Sequence, residues 1–286
     1  MSTSVLFDSP GPRTRARHRL YAVITSVVLL GLLALVVWLL QAKGQLSYDL
    51  WEAFVTPVFI QVLLEGLVDT LQMAVFAVVF AVVFGAVFGI GKLSDHRPVR
   101  WFCWAVVEFF RAVPVLMMMI FIYFAYGIGD GIGSFWSVVI ALTLYNGSVL
   151  AEVVRAGILA VPKGQSEAAY AIGMRKTQVM TQILLPQAVK IMLPAIISQL
   201  VVALKDTSLG FAILAPGLTR VGKSIYTEFG NQLQTALVVA AIYIIVNLLL
   251  TVLATWLQKK LVGEKKILEV SMVGITDADT GFDAFR

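Results

Sequence analysis

The sequence predicts an all-α membrane protein with about six transmembrane helices. Hydrophobic side chains make up 59% of the 286 residues, and only 14% of the residues are charged. Soluble domains carry about 25% charged residues. Five uncharged runs are long enough to cross the roughly 30 Å hydrocarbon core of a bilayer as helices. Lipid is therefore the expected solvent for most of the chain.

The five runs lie at 20–40, 70–91, 112–129, 131–151 and 236–257. The first follows a basic stretch that contains Arg13, Arg15, Arg17 and Arg19, as a secretory signal would. Its apolar part is longer than the 7–15 residues typical of a signal, and no small-residue cleavage site follows it. We interpret it as a retained transmembrane helix.

A sixth crossing is predicted at 185–208, although Pro194 interrupts its apolar part. The segment must be broken or must carry charge, because Lys205 and Asp206 then lie at or near hydrocarbon depth. Ionisable groups at that depth usually face a cavity or each other. The uncharged residues 207–219 favour a re-entrant piece after the helix, covered by protein or water.

Six crossings place both termini on one side of the membrane, and the positive-inside rule selects the cytoplasm. Most of the 22 basic residues then lie inside, together with the loop at 155–190. The net charge of +5 is concentrated beside apolar runs, which fits a membrane surface and not a nucleic acid. We predict a basic cytoplasmic N-terminus at 1–19, an additional helix at 20–40, a core domain at 61–260 and a polar, disordered tail at 261–286.

One motif lies in the cytoplasmic loop. Its positions are Glu167, Ala168, Ala169, Gly173, Ile183, Leu185 and Pro186. Pro162 is expected to open a short helix there, on which the small residues leave one flat face that can enter a groove on another protein. In residue type and spacing the motif resembles the EAA signature of ATP-binding-cassette import permeases. An ordinary interfacial helix with small packing residues would not require this fixed spacing.

The resemblance extends over roughly 61–260 and is to the polar amino acid branch of that family, with general similarity to glutamate permeases. It implies a type I ABC importer permease fold in a bacterial cytoplasmic membrane. It also implies that the motif helix is a coupling helix that docks into an ATPase subunit. The implied partners are two ATPase copies, a second related permease, an extracytoplasmic solute-binding protein, the amino acid and lipid. A homodimer of permeases remains open.

We assign no G-x-x-x-x-G-K-S/T phosphate-binding loop to this sequence, so the chain is not expected to bind or hydrolyse ATP or to be an enzyme. No cofactor is expected to bind to this chain, and ATP and Mg²⁺ are expected to be used by the partner ATPase. The two histidines, His18 and His96, are far apart in basic stretches. Neither a catalytic group nor a metal site is expected around them.

Candidate substrate contacts are the polar residues of the predicted spans. Lys205 would attract a substrate carboxylate and Asp206 its ammonium group, with hydrogen bonds from Thr207 and Ser208. The alternative is a mutual Lys205–Asp206 ion pair that holds the broken helix. Tyr145 and Asn146 would line the same pathway, or would form hydrogen bonds between helices.

Three further charged residues are assigned to gating or structural support. Glu152 and Arg155 are three positions apart and so share a helical face, which favours an ion pair. Arg111 is expected to extend its side chain to the inner surface. A rival interpretation is a secondary amino acid carrier driven by an ion gradient, which would use the intramembrane Lys205 and Asp206 but would leave the EAA spacing unexplained.

Overall fold

The computed structural model describes residues 11–262, and every regular element in that range is helical. The α-helices are α1 (Pro12–Ala42), α2 (Glu52–Val55), α3 (Pro57–Gly91), α4 (Arg97–Ala112), α5 (Val115–Ile122), α6 (Gly133–Leu159), α7 (Lys163–Ala171), α8 (Lys176–Gln178), α9 (Leu185–Asp206), α10 (Leu218–Phe229) and α11 (Gln232–Val262). Short 3-10 helices cover Tyr48–Leu50 and Thr207–Ile213, and π-helical turns cover Tyr123–Gly127 and Val179–Leu184. The predicted all-α class is confirmed for this part of the chain.

Five helical segments are long and apolar enough to cross a membrane, and a bent pair of helices brings the number to six. The five are Ala16–Ala42, Pro57–Gly91, Gly133–Leu159, Lys176–Ile213 and Gln232–Gln258. The bent pair is Arg97–Ala112 with Val115–Gly127. The prediction of about six spans is confirmed by length and composition.

Both ends of the described region refine the predicted boundaries. Helix α1 begins at Pro12, so most of the basic stretch before residue 20 is already helical. Proline suits the first helical position, where its missing N–H group would have had no partner. Helix α11 continues to Val262. The remainder of the predicted disordered tail, 263–286, and residues 1–10 lie outside the described residues.

The predicted span at 112–129 is broken near its start. Helices α4 and α5 meet at 98°, and Val113 between them is extended with φ −82° and ψ 126°. Pro114 explains the break, because proline disfavours helical geometry in the residue before it and offers no N–H group. The helical part of the predicted span therefore runs only from Val115 to Gly127.

Helix α9 differs from prediction in the opposite way, because Pro194 does not interrupt it. The Ser198 hydroxyl donates to the Pro194 carbonyl at 3.0 Å, one of the local adjustments that let membrane helices tolerate proline. The helix breaks instead at Thr207, whose hydroxyl donates to the Leu204 carbonyl at 2.6 Å. After this break, Leu214 has a left-handed conformation (φ 52°) and turns the chain within the irregular segment that was predicted to follow the helix.

The chain divides into two compact units, 11–72 with 208–244, and 73–207 with 245–262. In the first unit a small apolar core joins Ala53, Leu63, Leu218 and Ile225. The backbone N–H of Leu218 donates to Thr70 Oγ1 at 2.9 Å, which satisfies one free donor at the start of α10.

In the second unit, α6 is the central helix and packs on α4, α5 and α9. Glycines let α3 approach it closely: a Cβ atom added at Gly89 would lie 2.6 Å from the carbonyl oxygen of Ala151. Small residues at such contacts are how membrane helices gain packing energy without a hydrophobic driving force. A separate apolar cluster at one end of α6 consists of Val154, Ile158, Val161, Ala188 and Met192.

Candidate functional site

The EAA motif forms the loop expected from the sequence, here called the coupling loop and defined as residues 163–186. Helix α7 begins directly after Pro162, as predicted. Glu167 and Ala168 are exposed on α7, whereas Ala169 is buried against the rest of the unit. The outward face of α7 therefore carries the first two motif residues, and the third fixes the helix to its own chain.

Gly173 has a different local role from the one predicted. Helix α7 ends at Ala171, so Gly173 is not part of its flat face. Gly173 has φ +81°, a conformation that side-chain-bearing residues rarely adopt. Its N–H donates to the Tyr170 carbonyl at 2.9 Å, and the next N–H, of Met174, donates to the Ala169 carbonyl at 3.1 Å. The motif glycine thus ends the helix and reverses the chain.

The last three motif residues anchor the loop to α9. Leu185 packs against the apolar cluster at the end of α6, Ile183 is half-buried, and Pro186 lies in the first turn of α9. The Gln187 amide reinforces this junction by donating to the Ile183 carbonyl at 2.9 Å. These positions support the exposed face and do not form part of it.

Sequence reasoning missed an exposed apolar side chain beside the motif. Ile172 immediately precedes Gly173 and is 79% exposed, and Tyr170 is also exposed. Large apolar side chains that project from a polar loop are candidates for a protein contact. The signal was available in the sequence as an isoleucine placed next to the helix-ending glycine.

An ion pair ties the coupling loop to the segment between α3 and α4. Lys176 contacts the carboxylate of Asp95. Its hydrogen bond and positive charge lower the pKa of Asp95 below the ordinary value. The contribution of this pair is therefore complete above the ordinary pKa of an aspartate and is lost as the pH falls through the lowered value.

Two candidate pathway residues lie in the middle of α6. Asn146 is buried, and its Oδ1 accepts a hydrogen bond from Gln199 Nε2 of α9 at 3.2 Å. Its Nδ2 group has no partner among residues 11–262. Tyr145 is half-buried on the neighbouring position. Gln199 was not among the predicted site residues.

The other four pathway candidates lie where α9 ends. Lys205 is exposed, Asp206 is half-buried and Thr207 is buried. Asp206 is seven residues after Gln199, so both lie on the same face of α9, about 10 Å apart along the axis. Ser208 is half-buried in the following 3-10 helix.

The predicted Glu152–Arg155 pair is confirmed, with Arg155 Nε 2.9 Å from Glu152 Oε2. It belongs to a larger network that the sequence did not reveal. Lys92, only 8% exposed at the end of α3, contacts Glu152 and lies 3.5 Å from Glu108 of α4. Arg111 extends the network, because its Nη1 lies 3.3 Å from Glu108 Oε1. The five side chains alternate in charge and connect α3, α4 and α6.

The residues from Gly217 to Ser224 contain the letters of a phosphate-binding loop, G-x-x-x-x-G-K-S, which the sequence analysis overlooked. The structure gives them another role. Leu218 to Ser224 are helical, and the N–H groups of Arg220 and Val221 both donate to the Gly217 carbonyl at 3.1 Å. A phosphate-binding loop requires free backbone N–H groups that cradle the phosphate. This segment does not provide them.

Metal-ligating side chains are also not gathered in one place. Within the described range, 11–262, no group of three or more His, Cys, Asp or Glu side chains could hold a metal ion. The polar groups of the second unit are instead arranged as helix contacts and ion pairs.

A family model described as the inner membrane component of binding-protein-dependent transport systems matches residues 81–263. The chain belongs to this family. The match covers the ion network, the coupling loop and the end of α9. The chain is accordingly a permease subunit of an ABC importer, and the family gives no support to the interpretation as an ion-driven secondary carrier.

Curated permeases and solved structures agree with this assignment. The chain is 44% identical over 228 residues to the glutamate transport system permease protein GluD of Corynebacterium glutamicum, covering 78% of this chain and 84% of that protein. It is 31% identical to the glutamate/aspartate import permease protein GltK of Escherichia coli O157:H7, covering 73% and 97%. A crystal structure of an amino acid ABC transporter with histidines is similar at a TM-score of 0.66 and 29% identity, covering 71% and 95%. The predicted type I importer permease fold is therefore confirmed.

Proposed function

We propose that this permease forms the pathway of an ATP-driven importer for glutamate. The main support for glutamate as the substrate is the 44% identity to a glutamate permease across 84% of that protein's length. The second glutamate/aspartate relative, covered over 97% of its length, supports an acidic substrate as well. The family supports the energy source, since its members depend on a binding protein and work with an ATPase.

The amino acid crosses, in this proposal, between α6 and the end of α9. Asn146 offers a buried amide donor, and Tyr145 lies beside it. Lys205 attracts the substrate carboxylates, whereas Asp206, Thr207 and Ser208 receive the ammonium group and the remaining hydrogen bonds. The Gln199–Asn146 hydrogen bond holds the two helices together at this level.

The coupling loop transmits the ATP-driven movement of the ATPase subunits to the spans. Two ATPase subunits bind ATP and Mg²⁺ outside this chain, and each accepts a coupling helix in a groove. We assign the contact to exposed Glu167 and Ala168 with Ile172 as the apolar anchor. The buried Ala169, the left-handed Gly173 and the residues that join α9 then make the loop rigid enough to move the spans.

The proposed assembly contains a second, related permease and an extracytoplasmic solute-binding protein. The chain lies in a bacterial cytoplasmic membrane with both termini in the cytoplasm, because this orientation places the coupling loop and most basic residues inside. The Glu152–Arg155 pair and Arg111 serve as a structural gate at the inner end of the spans. This chain itself binds no cofactor.

Docking can be tested with Ile172→Ser in the full transporter. Losing one apolar anchor is expected to reduce copurification of the ATPase about fivefold or more. Ile128→Ser is the matched control, because Ile128 is also exposed but lies before the opposite end of α6. Equal ATPase yield in both variants would show that α7 and the adjacent Ile172 are not part of the contact surface.

The substrate can be tested by uptake in cells that lack this chain. Restoring the chain is expected to restore uptake of labelled glutamate, and unlabelled glutamate is expected to compete far better than glutamine or arginine. Restored uptake of glutamine or arginine without glutamate would refute the proposed substrate. The coupling assignment would stand, because it is measured separately by copurification.

A further inference from the structure

A pocket of ≈ 610 Å³ opens beside the ion network of the second unit. Four cationic side chains and two carboxylates line it, so the lining has an excess of positive charge. Glu152 engages two of the cations, Lys92 and Arg155. The other two cations, Arg97 and Arg100, form no direct ion pair among residues 11–262. The Asp95 carboxylate, which feels the charge of Arg100, is paired with Lys176. The excess charge is therefore located on Arg97 and Arg100.

The carboxylate nearest to these arginines on α4 is already neutralised. Glu108 lies 3.3 Å from Arg111 and 3.5 Å from Lys92. It therefore does not cancel the positive charge at the other end of the pocket. Arg100 is oriented by a hydrogen bond from its Nη1 to the Ser94 carbonyl at 3.3 Å, which leaves its other donors for a ligand.

One face of α4 combines these cations with aromatic rings. Arg97, Arg100, Trp101 and Trp104 are spaced by three or four residues, so their side chains share one side of the helix and line the pocket. Trp101 is 70% exposed and Trp104 51% exposed. Tryptophan with arginine is the combination found where a protein meets the headgroup region of a bilayer.

The position of α4 fits that region. Cys103 and Val107 are buried in the protein on the adjoining strip of the helix, since they lie three and seven residues after Arg100. Arg97 and Arg100 lie at the start of α4, and no charged residue follows until Glu108. The first turns of α4, with two arginines and two exposed tryptophans, therefore fit the level of the lipid headgroups, and the bent pair of α4 and α5 continues into the membrane.

We propose that this pocket binds the headgroup of an anionic phospholipid. The phosphodiester accepts hydrogen bonds from the guanidinium groups of Arg97 and Arg100. Trp101 and Trp104 contact the glycerol and the first part of the acyl chains. Because Lys92 and Arg155 form the inner wall of the same pocket, the bound lipid also adjoins the ion network at the end of the spans.

The test measures lipid retained by the complete, purified transporter in detergent micelles that contain equal amounts of phosphatidylglycerol and phosphatidylcholine. Native mass spectrometry counts the two lipids. We expect preferential retention of phosphatidylglycerol, and a loss on the order of tenfold in the Arg97→Gln/Arg100→Gln variant. The matched control is Arg17→Gln/Arg19→Gln, which removes two exposed arginines from the first part of a different membrane helix, α1. It should retain phosphatidylglycerol like the unmodified protein.

Equal losses in the two double variants would overturn the proposal, because general attraction to anionic lipid would then explain retention. Adding inorganic phosphate distinguishes a lipid site from a site for free phosphate. Unchanged retention supports the lipid, whereas displacement by millimolar phosphate would assign the pocket to a soluble anion. Retention does not require transport, so this result is independent of the proposed substrate.

Discussion

Removing Glu152 tests whether the ion network stabilises the packing of α3, α4 and α6. The side chain of its partner Lys92 is only 6% exposed, and Glu152 itself is 23% exposed. Breaking a buried ion pair by deleting one partner costs about 3–5 kcal/mol, mostly because the other charge stays buried. Glu108 remains 3.5 Å from Lys92, so we expect Glu152→Gln to lose about 2–3 kcal/mol.

The control is Glu108→Gln. Glu108 is 39% exposed and lies farther from Lys92, so its loss is expected to cost below about 1 kcal/mol. Adding Lys92→Met to Glu152→Gln should recover at least half of the lost stability, because no uncompensated buried charge then remains. Arg155, exposed by 37%, stays solvated in that double variant.

Thermal unfolding of the purified transporter in one detergent provides the assay. A loss of 2–3 kcal/mol corresponds to a decrease of roughly 5 °C in the unfolding midpoint. Correct insertion of each variant is checked by its yield in the membrane fraction. The reasoning is refuted if Glu152→Gln is no less stable than Glu108→Gln, or if Lys92→Met makes the Glu152→Gln variant still less stable.

Three shorter predictions concern the backbone and the coupling loop. Gly173→Ala places a Cβ at φ +81°, so we expect about 1–2 kcal/mol of local strain and weaker ATPase copurification at unchanged membrane yield. Gly89→Ala, whose Cβ would lie 2.6 Å from a backbone oxygen, should lower the unfolding midpoint, whereas Gly31→Ala, with nothing within 4 Å, should not. Asp95→Asn removes the contact with Lys176 and should lower ATP-driven transport at neutral pH; unchanged transport would mean that the contact has no role. In the unmodified protein the contact should persist below the ordinary aspartate pKa and be lost as the pH falls through the lowered value.

Features that depend on local sequence were predictable. Spans follow from the length of uncharged runs, since a bilayer imposes about 20 apolar residues per helix. The start of α7 follows from Pro162, and the Glu152–Arg155 pair from its three-residue spacing. Each of these depends on neighbours within one or two helical turns.

Features that depend on tertiary contacts were not predictable. Lys92 and Glu152 are 60 positions apart, and only the packing of α3 on α6 brings them together. The same holds for Gln199 and Asn146, 53 positions apart. Two local features also differ from prediction, because Pro194 lies inside a helix and Gly173 ends one. At both positions the sequence does not determine whether tertiary contacts outweigh the local preference. The phosphate-binding-loop pattern that begins at Gly217 is a further case, because the sequence pattern is present but does not form the structure usually associated with it.

Glutamate uptake by the reconstituted transporter tests the central claim most directly. Proteoliposomes would hold this permease with its ATPase and partner permease, with the solute-binding protein outside and ATP or no nucleotide inside. The account predicts uptake that requires both internal ATP and the binding protein, and that continues when a protonophore removes the proton gradient. Uptake without ATP that stops with the protonophore, or ATP-driven uptake of other amino acids but not glutamate, would contradict it.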